Sequence, residues 1–263
     1  MLKPYSLARL HENTTFFHPL MHQKTLIRAG LDLIFPPRCT ACNEYLSAGE
    51  KDEQLCSGCM AEIRWIDSPV CSRCGMIFKS QTGEDHLCGH CLLMPPPYRM
   101  ARAVVLYGSV ARDLLHQLKY RSNTTVVPAI HTIISRMDRS PFTDVDLVLP
   151  VPLHPCRLRQ RGFNQSLILA RLFFPDRDPS IHTSLLVRTR NTAPQTTLNG
   201  EKRRKNLHGA FRVTDPSALK GRSICLVDDV YTTGTTVTEC ANTLLRAGAG
   251  SILVLTLARA EKL

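Results

Sequence analysis

The chain has 263 residues, 43% of them hydrophobic, which suffices for one large domain or for a medium domain with a small appendage. No run approaches the ~20 consecutive apolar residues that a membrane-spanning helix needs. Polar residues such as His11, Glu12 and Asn13 interrupt any apolar core of a secretion signal. We therefore expect a cytoplasmic protein without a membrane span.

The net charge of +11 is unevenly distributed along the chain. Residues 39–91 hold 4 basic and 8 acidic side chains, whereas residues 92–263 hold 24 basic and 12 acidic ones. A basic field of this kind favours polyanions, either pyrophosphate groups or a nucleic-acid backbone. A solvated basic surface explains the charge excess equally well.

The N-terminal residues divide into two predicted segments. Residues 1–20 are polar and aperiodic, and we expect either a disordered extension or a sequence that precedes a true start at Met21 rather than Met1. Residues 22–35 carry apolar side chains at helical spacing and predict a helix. Pro36 and Pro37 then end that helix.

Eight of the eleven cysteines form four CxxC pairs between residues 39 and 91. Each pair is a tight turn that directs two sulfurs toward one metal ion, and two pairs complete a tetrahedral thiolate site. The gaps between pairs favour sequential pairing, so we predict two structural zinc sites. The first would use Cys39, Cys42, Cys56 and Cys59; the second would use Cys71, Cys74, Cys88 and Cys91.

An iron–sulfur cluster or a redox array remains an alternative for these eight cysteines. Zinc is favoured because four thiolates per site leave no open coordination position, and because so short a region needs metal binding to fold. Of the isolated cysteines, Cys225 lies in an apolar strand and Cys240 in a helix. We predict that both are packing residues.

Three prolines, at residues 95–97, indicate a stiff linker and a domain boundary. We therefore predict a disordered extension over 1–20, a helix and double zinc ribbon over 21–94, and an α/β domain over 98–263. Beyond the linker, apolar strands alternate with helices, which is typical of a parallel sheet covered on both faces. Strands are predicted at 101–108, 146–153, 185–188, 224–229 and 251–259; helices at 109–120, 125–137, 163–174 and 235–248; and a long polar loop at 189–209.

The segment ICLVDDVYTTGTT, residues 224–236, carries the strongest chemical signal. Its apolar strand delivers Asp228 and Asp229 to the carboxyl end of a parallel strand, where open α/β sheets bind ligands. Small hydroxyl residues around Gly234 then let a helix N-terminus surround a phosphate. The carboxylates could accept hydrogen bonds from vicinal ribose hydroxyls, directly or through Mg²⁺. We therefore predict that the segment binds a phosphorylated sugar. The alternative interpretation is an ordinary strand end followed by a capped helix.

This segment resembles the signature of type I phosphoribosyltransferases for 5-phosphoribosyl-1-pyrophosphate (PRPP). Further stretches make the likeness narrower: FPPRC with the paired CxxC units, HQLKYR at 116–121, RGFNQ at 161–165, and residues 188–213. Together they are similar to the ComF/GntX competence family over roughly residues 28–260. The resemblance implies an N-terminal double zinc ribbon on a Rossmann-like phosphoribosyltransferase core. It also implies a role in natural transformation, in handling incoming single-stranded DNA. A competence helicase that docks on the zinc region is a further candidate partner.

The resemblance assigns roles to individual residues. Asp228 and Asp229 would hold the ribose hydroxyls, with Mg²⁺ accompanying PRPP. Arg161 and the backbone at Gly162 would bind pyrophosphate, and Arg161 would act in catalysis together with the two acids. The loop around the 5-phosphate would comprise Thr232, Thr233, Gly234, Thr235 and Thr236.

Weaker candidates surround these residues. Asn164 and Gln165 are predicted as a helix cap and a polar contact with substrate or a neighbouring loop. The polar stretch 189–209 matches the mobile hood of the family in position. Its basic residues could bind pyrophosphate or DNA, or could simply be solvated; they are Lys202, Arg203, Arg204 and Lys205. Outside this stretch, the weaker basic candidates are Lys119, Arg121 and Arg159.

Two departures from related enzymes limit the expected reaction. Oxopurine phosphoribosyltransferases have an aspartate that contacts the base at the position of Thr232, so purine salvage of that type is not supported. Neither Met1 nor Met21 is followed by the cysteine nucleophile of a glutamine amidotransferase. We expect a PRPP-binding protein with an unknown acceptor. The alternative is a non-catalytic DNA-binding or scaffold component of the DNA-uptake machinery.

Overall fold

The computed structural model describes residues 30–47, 49–50, 54–80, 82–121, 123–191 and 207–261. These residues belong to two compact units, Met1–Pro37 and Arg38–Leu263. In the first unit, residues 30–34 are helical, which confirms the C-terminal part of the helix predicted over 22–35. The predictions for residues 1–20 and for the start at Met21 lie outside the described residues.

Two short helices mark the cysteine region of the second unit. Helix α1 (Ser57–Glu62) begins directly after Cys56, and helix α2 (Gly89–Leu93) begins directly after Cys88. In both places the cysteine is the N-cap with extended backbone angles. The two halves of the cysteine region, each with two CxxC pairs, therefore also share the same local structure.

A four-stranded parallel sheet forms the centre of the second unit, in the order β1-β6-β5-β2. In its register, Pro150 lies opposite Val227, so the carboxyl ends of β2 and β5 are neighbours. A separate antiparallel pair consists of β3 and β4. The strand bounds are β1 (Met100–Leu106), β2 (Leu147–Pro150), β3 (Leu186–Arg188), β4 (Phe211–Val213), β5 (Ser223–Tyr231) and β6 (Ser251–Arg259).

Helices cover both faces of this sheet, which confirms the predicted α/β architecture. Alternate residues of β5 show the arrangement: Cys225 and Val227 join the core beneath α3, α4 and α6, whereas Leu226 joins the core beneath α7. Cys225 and Cys240 are fully buried, as expected of packing residues. No described helix combines the length and apolar character that crossing a membrane requires. The helix bounds are α3 (Ser109–Arg121), α4 (Val127–Ser135), α5 (Pro155–Arg161), α6 (Gln165–Phe173) and α7 (Thr235–Arg246).

The main difference from the predicted elements lies after β2. The strand predicted over 146–153 ends at Pro150, and the short helix α5 follows where no helix was predicted. Pro155 occupies its first turn, where the missing N–H costs nothing. The His154 Nδ1 accepts a hydrogen bond from the Cys156 N–H at 3.3 Å and caps the helix.

The cysteine region lies against the outer edge of β1. Trp65 forms an antiparallel bridge with Val105, and the Ile66 N–H donates to the Val104 carbonyl at 3.1 Å. The Leu106 N–H donates in turn to the Arg64 carbonyl at 2.8 Å. The ribbon and the sheet therefore share backbone hydrogen bonds, while the domain limits 21–94 and 98–263 remain a prediction.

Candidate functional site

The eight paired cysteines form two separate four-sulfur clusters, as the spacing predicted. Within each cluster all four sulfurs lie within 4.8 Å of one another. The Cys42–Cys56 and Cys74–Cys88 sulfur distances are 3.6 and 3.8 Å, close to the ~3.8 Å edge of a tetrahedron with Zn–S bonds of ~2.3 Å. Four sulfurs converging on one point fit a single ion. These are two zinc-binding sites of four cysteines each, paired sequentially.

The two clusters repeat the same backbone bonds. The Cys39 N–H donates to the Glu44 carbonyl at 2.7 Å, and the Cys71 N–H donates to the Met76 carbonyl at the same distance. The turn that closes each first CxxC pair needs a left-handed residue, which is Asn43 (φ 69°) in one cluster and Gly75 (φ 70°) in the other. Glycine is required at the second position because a Cβ there would overlap the Ala101 carbonyl oxygen of β1.

Backbone donors favour the thiolate form of one cysteine in each cluster. Burial opposes ionisation of Cys71, but backbone N–H groups, including those of Cys74 and Cys88, lower its pKa to about 6. The same balance lowers the pKa of Cys39 to about 7. Because zinc binds thiolates, this environment suits metal ligation.

A cavity of about 480 Å³ opens at the carboxyl ends of β2 and β5. Its lining includes the acidic pair near the end of β5 and basic side chains from α3, α5 and β3. Its principal polar lining residues are Lys119, Arg157, Gln160, Arg161, Gln165, Ser166, Arg188, Asp228, Asp229, Thr232 and Thr236.

Both carboxylates of the acidic pair are held by hydrogen bonds. Asp229 Oδ2 lies 2.6 Å from the Lys119 ammonium and accepts a hydrogen bond from Gln165 Nε2 at 3.1 Å. Asp228 Oδ1 accepts from the Ser166 hydroxyl at 3.1 Å and from the Asp229 N–H at 2.9 Å. Helices α3 and α6 thus fix the orientation of both acids.

Burial and neighbouring charges shift the pKa values of Asp228 and Lys119. Burial, and then the charge of Asp229, raise the pKa of Asp228 to about 7. Burial disfavours the charged Lys119, yet its bond to Asp229 outweighs this and raises the lysine's pKa. The Lys119 ammonium is therefore held beside Asp229, and Asp228 takes up a proton more readily than an ordinary aspartate.

Arginines supply the opposite charge. Arg161 at the end of α5 donates to the Gln165 Oε1 at 3.0 Å, and its guanidinium lies 5.5 Å from the centre of the Tyr120 ring. Arg157 lies one turn earlier on α5. Arg188, at the end of β3, is only 6% exposed. Four cationic side chains and two carboxylates among the described lining residues favour an anionic ligand.

The predicted phosphate loop lies at the N-terminus of α7, a helix of 12 residues. Thr232 and Thr236 line the cavity, and Gly234 at the N-cap has φ +74°. The Thr233 and Thr235 hydroxyls lie 2.7 Å apart. Thr233 faces a smaller space of about 70 Å³ beside the second cysteine cluster.

The structure brings most of the predicted site residues together, but not all. The Gly162 N–H donates to the Leu158 carbonyl at 2.8 Å, and this glycine ends α5 with φ +80°. Its backbone is therefore engaged in capping a helix and lies outside the cavity lining. Arg159 also lies outside the lining. The predicted hood residues Lys202, Arg203, Arg204 and Lys205 fall outside the described residues.

Sequence reasoning missed four polar lining residues, namely Arg157, Gln160, Ser166 and Arg188. The Asn164 side chain caps α6 as predicted, by accepting a hydrogen bond from the Ser166 N–H. This cap places Ser166 in the first turn of α6, where its hydroxyl donates to Asp228. The predicted cap could therefore have identified Ser166 as a site residue. Arg188 lies in a strand far along the chain from the acidic pair. Only the tertiary fold brings it to the cavity.

Comparison with known proteins agrees with this architecture. A double zinc ribbon family model matches residues 30–92, a range that contains all eight ligands. The DNA utilization protein YhgH of Escherichia coli O157:H7 is 34% identical over 233 residues, covering 86% of this chain and 99% of that protein. The chain belongs to the ComF family.

Two further relatives carry competence names. Competence protein F of Haemophilus influenzae is 29% identical over 229 residues, covering 85% of this chain and 97% of its own length. Competence protein ComFC of Bacillus subtilis is 29% identical over 222 residues, with coverages of 79% and 85%. The ComF likeness thus spans both the cysteine region and the sheet that carries the cavity.

We expect Asp228→Asn to stabilise this ComF-family protein at neutral pH. Because the folded-state pKa of Asp228 is raised to about 7, folding retains a proton there, and wild-type stability falls as pH rises from about 4 to that value. Asparagine can keep both accepted hydrogen bonds without the charge. The gain in free energy of unfolding should be about 1–2 kcal/mol at pH 8 and shrink toward pH 5, measured by urea denaturation. A gain that is equal at both pH values would contradict the raised pKa.

Proposed function

We propose that this ComF-family protein binds PRPP in the 480 Å³ cavity through a phosphoribosyltransferase-type site. The observation that carries the proposal is the segment 224–236. It brings two oriented carboxylates and the N-terminus of α7 to one cavity. A ligand that satisfies both must combine a diol with a phosphate, and the basic lining favours further negative charge.

Each part of PRPP has a matching group. The ribose hydroxyls would donate to Asp228 and Asp229. The 5-phosphate would take the N-terminus of α7, next to Thr232 and Thr236. The pyrophosphate would lie against Arg157, Arg161 and Arg188, for which arginine provides two-pronged hydrogen bonding.

The acidic pair also provides the oxygen ligands that Mg²⁺ prefers, and PRPP would bring that ion with its phosphates. When bound, Mg²⁺ would neutralise charge on the leaving pyrophosphate. Lys119 now lies 2.6 Å from Asp229 Oδ2. Binding would therefore exchange this ammonium for ligand hydroxyls and free the lysine to approach a phosphate.

The corresponding reaction is displacement of pyrophosphate from C1 of the ribose by a nucleophile. The C1–O bond to pyrophosphate breaks, the new bond forms at C1, and the transition state has oxocarbenium character. The arginines would stabilise the departing pyrophosphate, while the two acids hold the ribose in position. With Thr232 where an oxopurine enzyme has an aspartate, we assign no acceptor.

We further infer a role in DNA utilization or natural transformation, supported by the names of the relatives. A second candidate function is non-catalytic: binding single-stranded DNA, or acting as a scaffold for a competence helicase. The excess of 24 basic over 12 acidic residues in 92–263 supports it. In that case PRPP would be a regulator or a retained ligand.

Thermal unfolding with and without PRPP and Mg²⁺ tests the proposed site. Saturating ligand should raise the wild-type melting temperature by several degrees, since a ligand at 100 times its Kd contributes ~2.7 kcal/mol. Asp228→Asn/Asp229→Asn should shift by less than about 1 °C, because neutral amides replace the two carboxylates that would accept hydrogen bonds from the diol. Equal shifts in both proteins would rule the site out.

Single-stranded DNA binding in the same two proteins separates the candidate functions. If the basic surface binds DNA independently of the cavity, affinity and its salt dependence should be unchanged in the double variant. A variant that keeps DNA binding but loses PRPP binding would assign the two ligands to different surfaces. A transformation defect in that variant would show that PRPP binding is needed.

A further inference from the structure

A buried arginine joins the second cysteine cluster to the end of β5. Arg259, the last residue of β6, is 5% exposed. Its Nη1 donates to the Cys74 carbonyl at 2.6 Å, and its Nη2 lies 3.9 Å from the Cys74 sulfur. The same guanidinium lies 4.4 Å from the centre of the Tyr231 ring. One side chain thus contacts both a zinc ligand and the residue that ends the acidic strand.

Tyr231 in turn sets the shape of the phosphate loop. Its hydroxyl is hydrogen bonded to that of Tyr98, a residue only 1% exposed. Its ring lies directly beneath Gly234, where an added Cβ would come within 2.7 Å of the ring's Cζ. Since Gly234 is also left-handed, with φ +74°, the ring and the turn fit together without room for a side chain.

The first cysteine cluster supports a different part of the molecule. There Gln117 Nε2 of α3 donates to the Thr40 carbonyl at 2.9 Å. The small space beside the second cluster, by contrast, is lined by cysteines of that cluster and also by Thr233 and Thr238. The second cluster is therefore the one adjacent to the phosphate loop.

We propose that Arg259 is a positioning residue that couples the second zinc site to the loop 231–236. Zinc fixes the Cys71–Cys74 turn, this turn fixes the carbonyl that receives Arg259, and Arg259 holds the Tyr231 ring on which the loop is built. Losing the second zinc, or the arginine, loosens the loop and weakens phosphate binding. The consequence for PRPP rests on the proposed function; the effect on the loop does not.

Hydrogen–deuterium exchange of the peptide covering residues 228–236, without ligand, tests the coupling. Arg259→Gln should exchange at least about ten times faster in this peptide than the wild type. Arg102→Gln is the matched control, since Arg102 donates to the Cys71 and Ser72 carbonyls and ties the same ribbon to β1. Its exchange in the 228–236 peptide should match that of the wild type. Equal acceleration in both variants, or none in Arg259→Gln, would overturn the proposal.

The repeat of the cysteine units gives a second, matched pair. Cys88→Ser removes a ligand of the second site, and Cys56→Ser removes its counterpart in the first. Both should bind one zinc fewer, but only Cys88→Ser should accelerate exchange at residues 228–236. If both do so equally, loosening is global and the coupling is refuted. Tyr98→Phe removes only the hydroxyl partner of Tyr231 and should give a smaller acceleration, even if Arg259→Gln does not fold.

PRPP binding by calorimetry then separates this inference from the proposed function. A wild type that binds PRPP should lose about ten-fold in affinity on Arg259→Gln and retain it on Arg102→Gln, with two zinc ions in each protein. Should the wild type not bind PRPP, the proposed function fails, yet the exchange result stands. Arg259→Lys keeps a donor for the Cys74 carbonyl and should restore part of the protection.

Discussion

Removing zinc should lower the melting temperature of this protein by more than about 10 °C, equivalent to several kcal/mol for a domain of this size. The second cluster has little apolar support of its own, since its buried core consists of the four cysteines with Met76 and Phe78 packed against them. Zinc binding therefore supplies the folding free energy of this ribbon, for which ~10–16 kcal/mol is typical of structural sites. The measurement is thermal unfolding before and after chelation, with metal analysis giving two zinc ions per chain.

Loss of zinc should also destabilise the central sheet. Leu46, Leu55 and Ile63 of the first ribbon share a hydrophobic core with residues of α3 and β1. Cys156→Ser is the matched control, because Cys156 is a partly buried cysteine outside both clusters. It should bind two zinc ions and melt like the wild type. An unchanged melting temperature on full zinc removal would show that the ribbons are held by packing alone.

Lys119→Met should destabilise the fold by about 3 kcal/mol, because it leaves the acidic pair without its cation. Asp229 and Lys119 are 9% and 20% exposed and lie 2.6 Å apart, so solvent screens the pair little. Methionine fills similar volume, which separates the charge effect from packing. Urea unfolding at pH 7.5 measures the change. At lower pH the loss should shrink, because Asp228, with its raised pKa, becomes protonated.

Two further variants isolate the charge. Adding Asp229→Asn to Lys119→Met should recover most of the lost stability, since the uncompensated carboxylate is removed. Arg222→Met breaks an exposed pair with Asp146 at 3.2 Å and should cost less than about 1 kcal/mol. If the double variant is as unstable as Lys119→Met, the lysine contributes through packing rather than charge.

The sequence predicted those features of the protein that depend only on residues close together in the chain. The eight ligands follow from CxxC spacing, because a tight turn alone brings two sulfurs together. Asp228, Asp229 and the threonines follow from one strand–loop–helix segment. The parallel sheet follows from apolar runs such as β6, whose predicted and observed limits coincide at 251–259.

What the sequence did not predict depends on contacts between distant segments. Arg188 reaches the cavity from β3, and Lys119 pairs with Asp229 across 110 positions of the chain. Helix α5 was missed because its seven residues carry no buried position and hence no apolar period. The attachment of the second ribbon through Arg259 was also unforeseen, since an arginine ending an apolar strand resembles an ordinary solvent-exposed terminus.

The backbone hydrogen bonds that Arg64 and Ile66 make with β1 have a consequence for solubility. β1 is the outermost strand of the sheet on this side, and a long apolar strand with unpaired backbone groups is a template for aggregation. The metal-dependent ribbon covers that strand. Zinc-depleted protein should therefore self-associate through β1, so a cell short of zinc would lose this protein to aggregates as well as to unfolding.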